Sequence, residues 1–300
     1  MHNRIFRLIK LRFLSLCLSM FFPLLSAAQD HYYADEETCK SRSGLEYGGI
    51  AGFYIPGNGT ADFYSGKPEN ENNANYVFRN KYWYDEIFYL LNANDTVFIR
   101  EYPEKMRYNP AFSFGLFAKY DLNCHTGIYL QFSYAKLRAR DMISVEVDPP
   151  VDYLAEPDIR LYSIYGTEER NLVDLGFTHA FGNSRVARFT LGGGINMNNT
   201  LVEESALRIE EKVYNLVNVY GTRPYVPGGT QQAYEIRQGG IGFGVFGTIG
   251  ARFEFSEAIA IEPGLTVYYK QINLEAAKGF YPQYNFFVKI CFRDLLTFSE

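Results

Sequence analysis

The stretch that decides the fold is "IGFGVFGTIGARFEF", residues Ile241 to Phe255. Within it, Gly242, Gly244 and Gly247 have the G-x-G-x-x-G spacing of a dinucleotide-binding turn. Such a turn requires a strand before the glycines and a helix that begins at the third one. Here bulky apolar residues alternate with small or polar residues through all three glycines to the end of the stretch. This period of two predicts one long strand and argues against a nucleotide site.

Seven other stretches show the same alternation over about ten residues, which is the length that a tilted strand needs to cross a bilayer. They begin at Leu45, Ala111, Thr126, Asn171, Val186, Ala258 and Tyr284. Together with the stretch from Ile241, they predict eight strands, each with one apolar face and one small or polar face.

The connections between these strands alternate in length. Three are very short: "NCH", "GNSR" and "SE". Four are longer: 56–110, 138–170, 198–240 and 271–283. This alternation is typical of an outer-membrane β-barrel, with short periplasmic turns and long extracellular loops. A soluble β-sandwich also has short strands, but it gives no reason for every second connection to be long.

The predicted fold is therefore an all-β, transmembrane, antiparallel up-and-down β-barrel of about eight strands. Two segments in the long connections leave the strand number open. Residues 82–102 fit a hairpin, or a short helix followed by a strand, and residues 206–221 are similarly ambiguous. If either hairpin joined the wall, the barrel would have ten strands; otherwise both belong to an extracellular cap.

Small and charged residues share one face of the strands, as a narrow polar lumen requires. We expect oppositely charged side chains to pair across this lumen and fill it, which disfavours a general porin but leaves a conductive or proton-linked pathway as the alternative. The predicted lumen network consists of Glu46, Lys119, Asp121, Asp174, Arg188, Arg252, Glu254, Glu262, Lys270, Lys289 and Arg293.

The first 28 residues have the basic start, apolar run and small-residue end of a secretory signal peptide. The alternative is an N-terminal anchor, but the apolar run is short for a span and contains Pro23. We predict a signal peptide over 1–28, a periplasmic segment over 29–43 and one barrel domain over 44–300. Without the signal peptide, 25 basic residues face 34 acidic ones, so nucleic acid is not an expected partner.

Three cysteines of the mature chain lie near the predicted periplasmic end of the barrel, where disulfides can form. We predict Cys39–Cys124 as a pair, with free thiols as the equally weighted alternative. The histidines of the mature chain, His31, His125 and His179, do not reach the outer rim or form a metal cluster. We therefore expect no enzyme activity, metal or cofactor.

The connection 138–170 is rich in carboxylates, including Glu168 and Glu169. It has no fixed-spacing calcium motif. We expect it to be a solvated loop.

The signal peptide, the eight alternating strands and the rhythm of turns and loops resemble the small, OmpX-like outer-membrane β-barrels of Gram-negative bacteria. The strands rich in Tyr, Phe and Asn, and the last strand ending at Phe292 before "RDLLTFSE", are most similar to Bacteroidota barrels, including the PorT-like group. Members of this group include secretion-system parts and adhesins. The resemblance implies the architecture and the outer-membrane location, without choosing among these roles.

The long loops are rich in aromatic residues of the kind that anchor protein interfaces. The candidate interface residues are Trp83, Tyr84, Phe88, Tyr214 and Tyr220. We expect a non-enzymatic barrel that contacts outer-membrane lipid and other outer-membrane proteins. It would act through these loops or as an accessory subunit of a larger complex. The alternative is a transport or secretion-system barrel with a narrow or gated pore.

Overall fold

The computed structural model describes residues 44–93, 96–123, 125–148, 158–182, 186–216, 238–256, 258–274 and 279–293. The predicted signal peptide and the segment 29–43 lie outside these residues.

The described residues form ten β-strands. Their bounds are β1 Gly44–Ile55, β2 Val97–Glu101, β3 Ala111–Asp121, β4 Thr126–Val147, β5 Asp158–Phe181, β6 Ala187–Ile209, β7 Lys212–Asn215, β8 Gly239–Glu254, β9 Ile259–Gln271 and β10 Phe280–Arg293.

Eight of these strands close into a ring in which every pair is antiparallel. Consecutive wall strands pair in the order β1, β3, β4, β5, β6, β8, β9 and β10. The ring closes where β10 pairs with β1, from Glu46 opposite Arg293 to Ile55 opposite Tyr284. The predicted up-and-down barrel is confirmed, and each predicted strand overlaps one wall strand. The other two strands, β2 and β7, pair with extensions of β4 and β6.

Three wall strands are much longer than a bilayer requires. β4, β5 and β6 have 22, 24 and 23 residues, whereas about 9–11 residues cross a membrane. Their upper halves pair with one another above the rim formed by the other strands. Much of the connections predicted over 138–170 and 198–240 is therefore strand, which corrects the loop interpretation. The outward face of β4 changes from apolar to basic at Lys136, so the lipid-facing pattern ends although the strand continues.

The segments above the barrel form a cap, which we define as the described residues of 58–108, the upper halves of β4, β5 and β6, and β7. It contains a 3₁₀ helix Asn58–Tyr64, α1 Asn75–Arg79 and α2 Tyr84–Leu91. The segment 82–102 is therefore a helix followed by a strand, whereas residues 206–215 form a hairpin. No helix among the described residues is long and apolar enough to cross a membrane.

The cap has its own hydrophobic core, in which α1 and α2 pack against the inner face of the extended strands. Its buried residues are Ala74, Val77, Phe78, Trp83, Ile87, Leu91, Ile143, Val145, Val147, Tyr162, Ile164, Leu207, Ile209, Tyr214 and Leu216. α2 begins with Asp85 and Glu86 in its first turn, which favours the helix dipole. It ends at Asn92, whose left-handed φ of 50° lets its N–H bond back to the last turn.

Candidate functional site

The wall places alternate side chains outside and inside the barrel. In β8 the outward residues include Ile241, Phe243 and Val245, and all three are more than half exposed. The glycines between them face inward. A Cβ on Gly242 would lie 2.2 Å from the Gln271 carbonyl oxygen, and one on Gly244 would lie 2.2 Å from the Lys270 Cβ. The absence of a side chain at these two positions lets β8 approach the neighbouring strand β9 and the Lys270 side chain closely.

The lower third of the lumen, next to the short turns, holds a charge cluster around Glu46. Arg252 donates to both carboxylate oxygens of Glu46, at 2.8 and 2.5 Å. Arg293 bridges Glu46 at 3.3 Å and Asp121 at 3.0 Å, and Lys119 lies 2.9 Å from Asp121. A bidentate, almost fully buried guanidinium–carboxylate pair is among the strongest polar contacts in proteins. The cluster ties β1, β3, β8 and β10 together.

Three more predicted network residues surround this lower cluster. Arg188 donates to Glu254, which also accepts from Arg252 at 3.4 Å. Glu262 lies 4.0 Å from Arg252 and accepts a hydrogen bond from Thr190 at 3.2 Å. The structure thus brings eight of the eleven predicted residues together in one connected cluster.

The middle of the lumen centres on Asp174. Its carboxylate accepts hydrogen bonds from Asn196 at 2.5 Å, Tyr268 at 2.8 Å and Gln131 at 3.3 Å. These donors come from β6, β9 and β4, so one buried carboxylate fixes three parts of the wall. Buried charges persist only where such partners satisfy them.

The remaining two residues of the predicted network, Lys270 and Lys289, lie at the same middle level. The Lys270 Nζ lies 4.2 Å from the ring centroid of Tyr268 and forms no hydrogen bond among the described residues. The Lys289 Nζ lies 4.7 Å from the ring of Tyr129. Both ammonium groups interact electrostatically with Asp174. Ring faces and one carboxylate, rather than direct ion pairs, stabilise these two cations.

The upper third of the lumen contains a cluster that the sequence analysis missed. Arg170 is fully buried and pairs with Glu168 at 2.5 Å. It also donates to Gln283 at 3.1 Å and to Thr60 at 3.0 Å. Through Thr60, the 3₁₀ helix is bound into the top of the lumen.

Two tyrosines complete this upper cluster. Glu168 accepts from the hydroxyl of Tyr64 at 2.7 Å and from that of Tyr108 at 2.9 Å. Glu168 was expected in a solvated loop, but it is completely buried. The alternation of the strand could have predicted this position. Residues 168, 170, 172 and 174 share the inward face once the alternation is continued toward the N-terminus past Asn171.

The three clusters occupy the lower, middle and upper parts of the lumen. Two cavities in its lower half have volumes of about 10 and 20 Å³, each about the room for one water molecule. Buried polar groups and the rings of Tyr54, Tyr129, Phe246 and Tyr268 pack together in the described interior.

The structure buries some of the aromatic residues that were predicted to form an interface and exposes others. Trp83 and Tyr214 are 2% and 3% exposed and contact each other at 5.3 Å between ring centroids. They lie in the cap core instead of on its surface, because α2 turns its Trp83–Ile87–Leu91 side toward the extended strands. Tyr84 is 42% exposed and stacks on Phe88 at 4.2 Å. Tyr220 lies outside the described residues.

The predicted cysteine pair, Cys39 and Cys124, also lies outside the described residues. Cys291 is a buried free thiol. His125 and His179 are adjacent at the short-turn end, with ring centroids 6.0 Å apart. Among the described residues, no group of three His, Cys, Asp or Glu side chains is placed to hold a metal ion.

A closed antiparallel ring with an apolar outer face and a polar interior satisfies every strand edge and presents hydrocarbon to lipid. These features define a bacterial outer-membrane β-barrel, in contact with membrane lipid.

Comparisons with known proteins give similarities to barrels of this class. Neisserial surface protein A gives a TM-score of 0.38 at 9% identity, covering 84% of this chain and 97% of that one. OprG from Pseudomonas aeruginosa gives 0.38 at 10% identity, covering 84% and 95%. Ail, the attachment invasion locus protein of Yersinia pestis, gives 0.31 at 9% identity, covering 84% and 96%. No family model and no curated protein matches the chain.

Proposed function

We propose that this protein is a non-enzymatic outer-membrane barrel that binds a partner through its cap. Its long-loop end would face the cell exterior and its short turns the periplasm. Its Tyr-, Phe- and Asn-rich strands support a place among the Bacteroidota barrels of the PorT-like type. The observation that carries the proposal is an exposed aromatic face on α2, held in place by the buried core of the cap.

The aromatic face of α2 consists of Tyr84, Phe88 and Tyr89 of the helix, together with Tyr82 in the turn before it. Tyr89 is 86% exposed, while Ile87 on the opposite side is 1% exposed. Exposed aromatic side chains on a rigid support lose little conformational entropy on binding, and tyrosine is enriched at binding hot spots. The face therefore suits a protein partner at the cell surface.

The test is purification of the tagged protein from native outer membranes in mild detergent, followed by mass spectrometry. We expect a stoichiometric companion with the wild type and its loss with the Tyr84→Ser, Tyr89→Ser double variant. The matched control is Phe98→Ser with Leu161→Ser, two exposed residues elsewhere on the cap, which should keep the companion. A companion that stays with both variants, or none with the wild type, would contradict the proposal.

An accessory role through lateral packing is the second candidate, and one observation supports it. A concavity with a volume of about 870 Å³ lies along the outward faces of β1, β6, β8, β9 and β10. Its lining includes the small residues Ala51, Ala251 and Gly264 and the flanking Phe53 and Phe286. Small residues let neighbouring membrane segments approach closely.

Filling this concavity separates the two candidates. Ala51→Phe with Ala251→Phe should displace a laterally packed partner and leave a cap-bound partner in place. Ala118→Phe, an outward substitution on β3, is the control. If filling the concavity leaves the companion in place, the lateral role is wrong.

A further inference from the structure

We propose that three arginines just above the membrane band, Arg107, Arg138 and Arg140, bind the phosphate of an outer-leaflet lipid headgroup. Arg138 and Arg140 lie on the outward face of β4 and are exposed. Tyr108 forms an isolated β-bridge with Ala139, and the Asn109 N–H donates to the Arg138 carbonyl at 2.9 Å. This pairing brings Arg107, also exposed, to the same outward side.

The register places these arginines directly above a group of lipid-facing rings. Phe114 lies opposite Tyr134 in the β3–β4 pair, with ring centroids 5.2 Å apart. The ring of Phe112 contacts those of Phe53 and Phe114, with ring centroids 6.2 and 6.4 Å away. From Tyr134 to Arg138 the strand rises about 13 Å at ~3.3 Å per residue. The aromatic rings of β1, β3 and β4, which suit acyl chains, thus lie directly below the arginines, which suit a headgroup phosphate.

No carboxylate neutralises the three arginines among the described residues. Of the nearby acids, Glu203 pairs with Lys136 at 2.5 Å, and Glu169 accepts from the Tyr134 hydroxyl at 2.6 Å. Arg140 donates its Nε to the Ser163 hydroxyl at 2.8 Å, which orients the guanidinium plane. Like charges on neighbouring strands repel each other unless an anion lies between them. Guanidinium groups match phosphate geometry well.

The cluster is confined to one side of the barrel. On the far side, the outward residues of β8, β9 and β10 near the long-loop end include Ile241, Tyr269 and Tyr284, and none is basic. A general attraction to an anionic surface would need no such asymmetry. A lipid whose phosphate binds between the three guanidinium groups and whose acyl chains pack on the rings below accounts for both the arginines and the rings.

The test measures binding of diphosphoryl lipid A to the purified full-length protein in detergent. Arg107→Gln, Arg138→Gln and Arg140→Gln together should weaken binding about 100-fold, from about fivefold for each charge near an anionic lipid surface. The matched control removes the same charge from the cap with Arg79→Gln, Lys81→Gln and Lys212→Gln, and it should bind like the wild type. Dephosphorylated lipid A should bind the wild type as weakly as diphosphoryl lipid A binds the triple variant.

Several outcomes would overturn the proposal. An equal loss in the control would indicate net charge alone, and unchanged binding in the cluster variant would exclude the site. If inorganic phosphate displaced the lipid at equal concentration, the ligand would be free phosphate instead of a lipid. Heat-modifiable migration on gels reports folding of each variant. If the triple variant fails to fold, Arg138→Gln alone should weaken binding about fivefold, and an unchanged affinity there would contradict the site.

Discussion

Single buried ion pairs decide how the upper lumen is held together, and Glu168 with Arg170 is the clearest case. Both side chains are fully buried, and their partners come from β1, β10, the 3₁₀ helix and the segment before β3. A buried charge that loses its partner remains desolvated, which costs far more than the pair itself contributes.

Glu168→Gln should therefore lower the free energy of unfolding by about 3–5 kcal/mol, because it leaves the Arg170 guanidinium buried without its counter-charge. Unfolding in urea, followed by the gel shift of the folded barrel, measures the change. Glu203→Gln, which removes the carboxylate of an exposed pair with Lys136, is the control and should cost at most about 1 kcal/mol. Equal effects for the two variants would show that the buried pair does not hold the upper lumen.

Residue by residue, the parity of the strands predicts which side chains enter the lumen. It places Glu46, Asp174 and Arg252 inward, and the structure places them there. It does not reveal partners, because the bonds of Glu46 with Arg252 span 206 positions of sequence. Only the closed ring brings such residues together.

At the level of elements, the membrane part and the cap part of β4 differ in the side chains on their outer face. Below Lys136 the outward residues of β4 are apolar, and from Lys136 to Arg140 they are basic, while the inward residues Leu137 and Ala139 stay buried. An alternation with outward apolar residues predicts a strand only as far as Lys136, so it does not reveal the continuation of β4 into the cap. The five-residue helix α1 is too short to show in the sequence pattern, whereas α2 is the helix of the helix-and-strand alternative for residues 82–102.

Trp83→Ala should destabilise the cap by about 3–5 kcal/mol, because it empties a ring-sized volume in the cap core. The barrel wall should remain folded, since its own clusters lie below. Limited proteolysis should then cleave the cap while the barrel keeps its gel shift. Tyr89→Ala, which removes an exposed ring from the same helix, should change stability by less than about 0.5 kcal/mol. Joint loss of cap and barrel in the Trp83 variant would mean that the two form one cooperative unit.

For the molecule as a whole, the contents of the lumen determine whether we expect it to conduct. Three layers of paired or ring-bound charges occupy the interior, and two cavities in its lower half are each the size of a single water molecule. An eight-stranded barrel has an interior just wide enough for its own side chains.

The purified protein should therefore show no stable open level in planar bilayers at neutral pH. A general porin, reconstituted in the same way, serves as the positive control for insertion and recording. A reproducible open level from the wild type would contradict a filled lumen and support the narrow or gated pore.

The pairing of the first strand with the last also governs how the molecule assembles. Every other wall pair joins two wall strands that follow one another in the sequence. In contrast, β1 and β10 lie at opposite ends of the described chain, and the Glu46–Arg293 bond spans 247 positions. Contacts of such long range form slowly, because the chain must lose the entropy of a large loop before they stabilise it. Closure is thus the late step of folding. Until β10 pairs with β1, each of the two strands has an unpaired edge that can pair with another chain. We therefore expect the nascent chain to depend on an assembly factor that covers these edges.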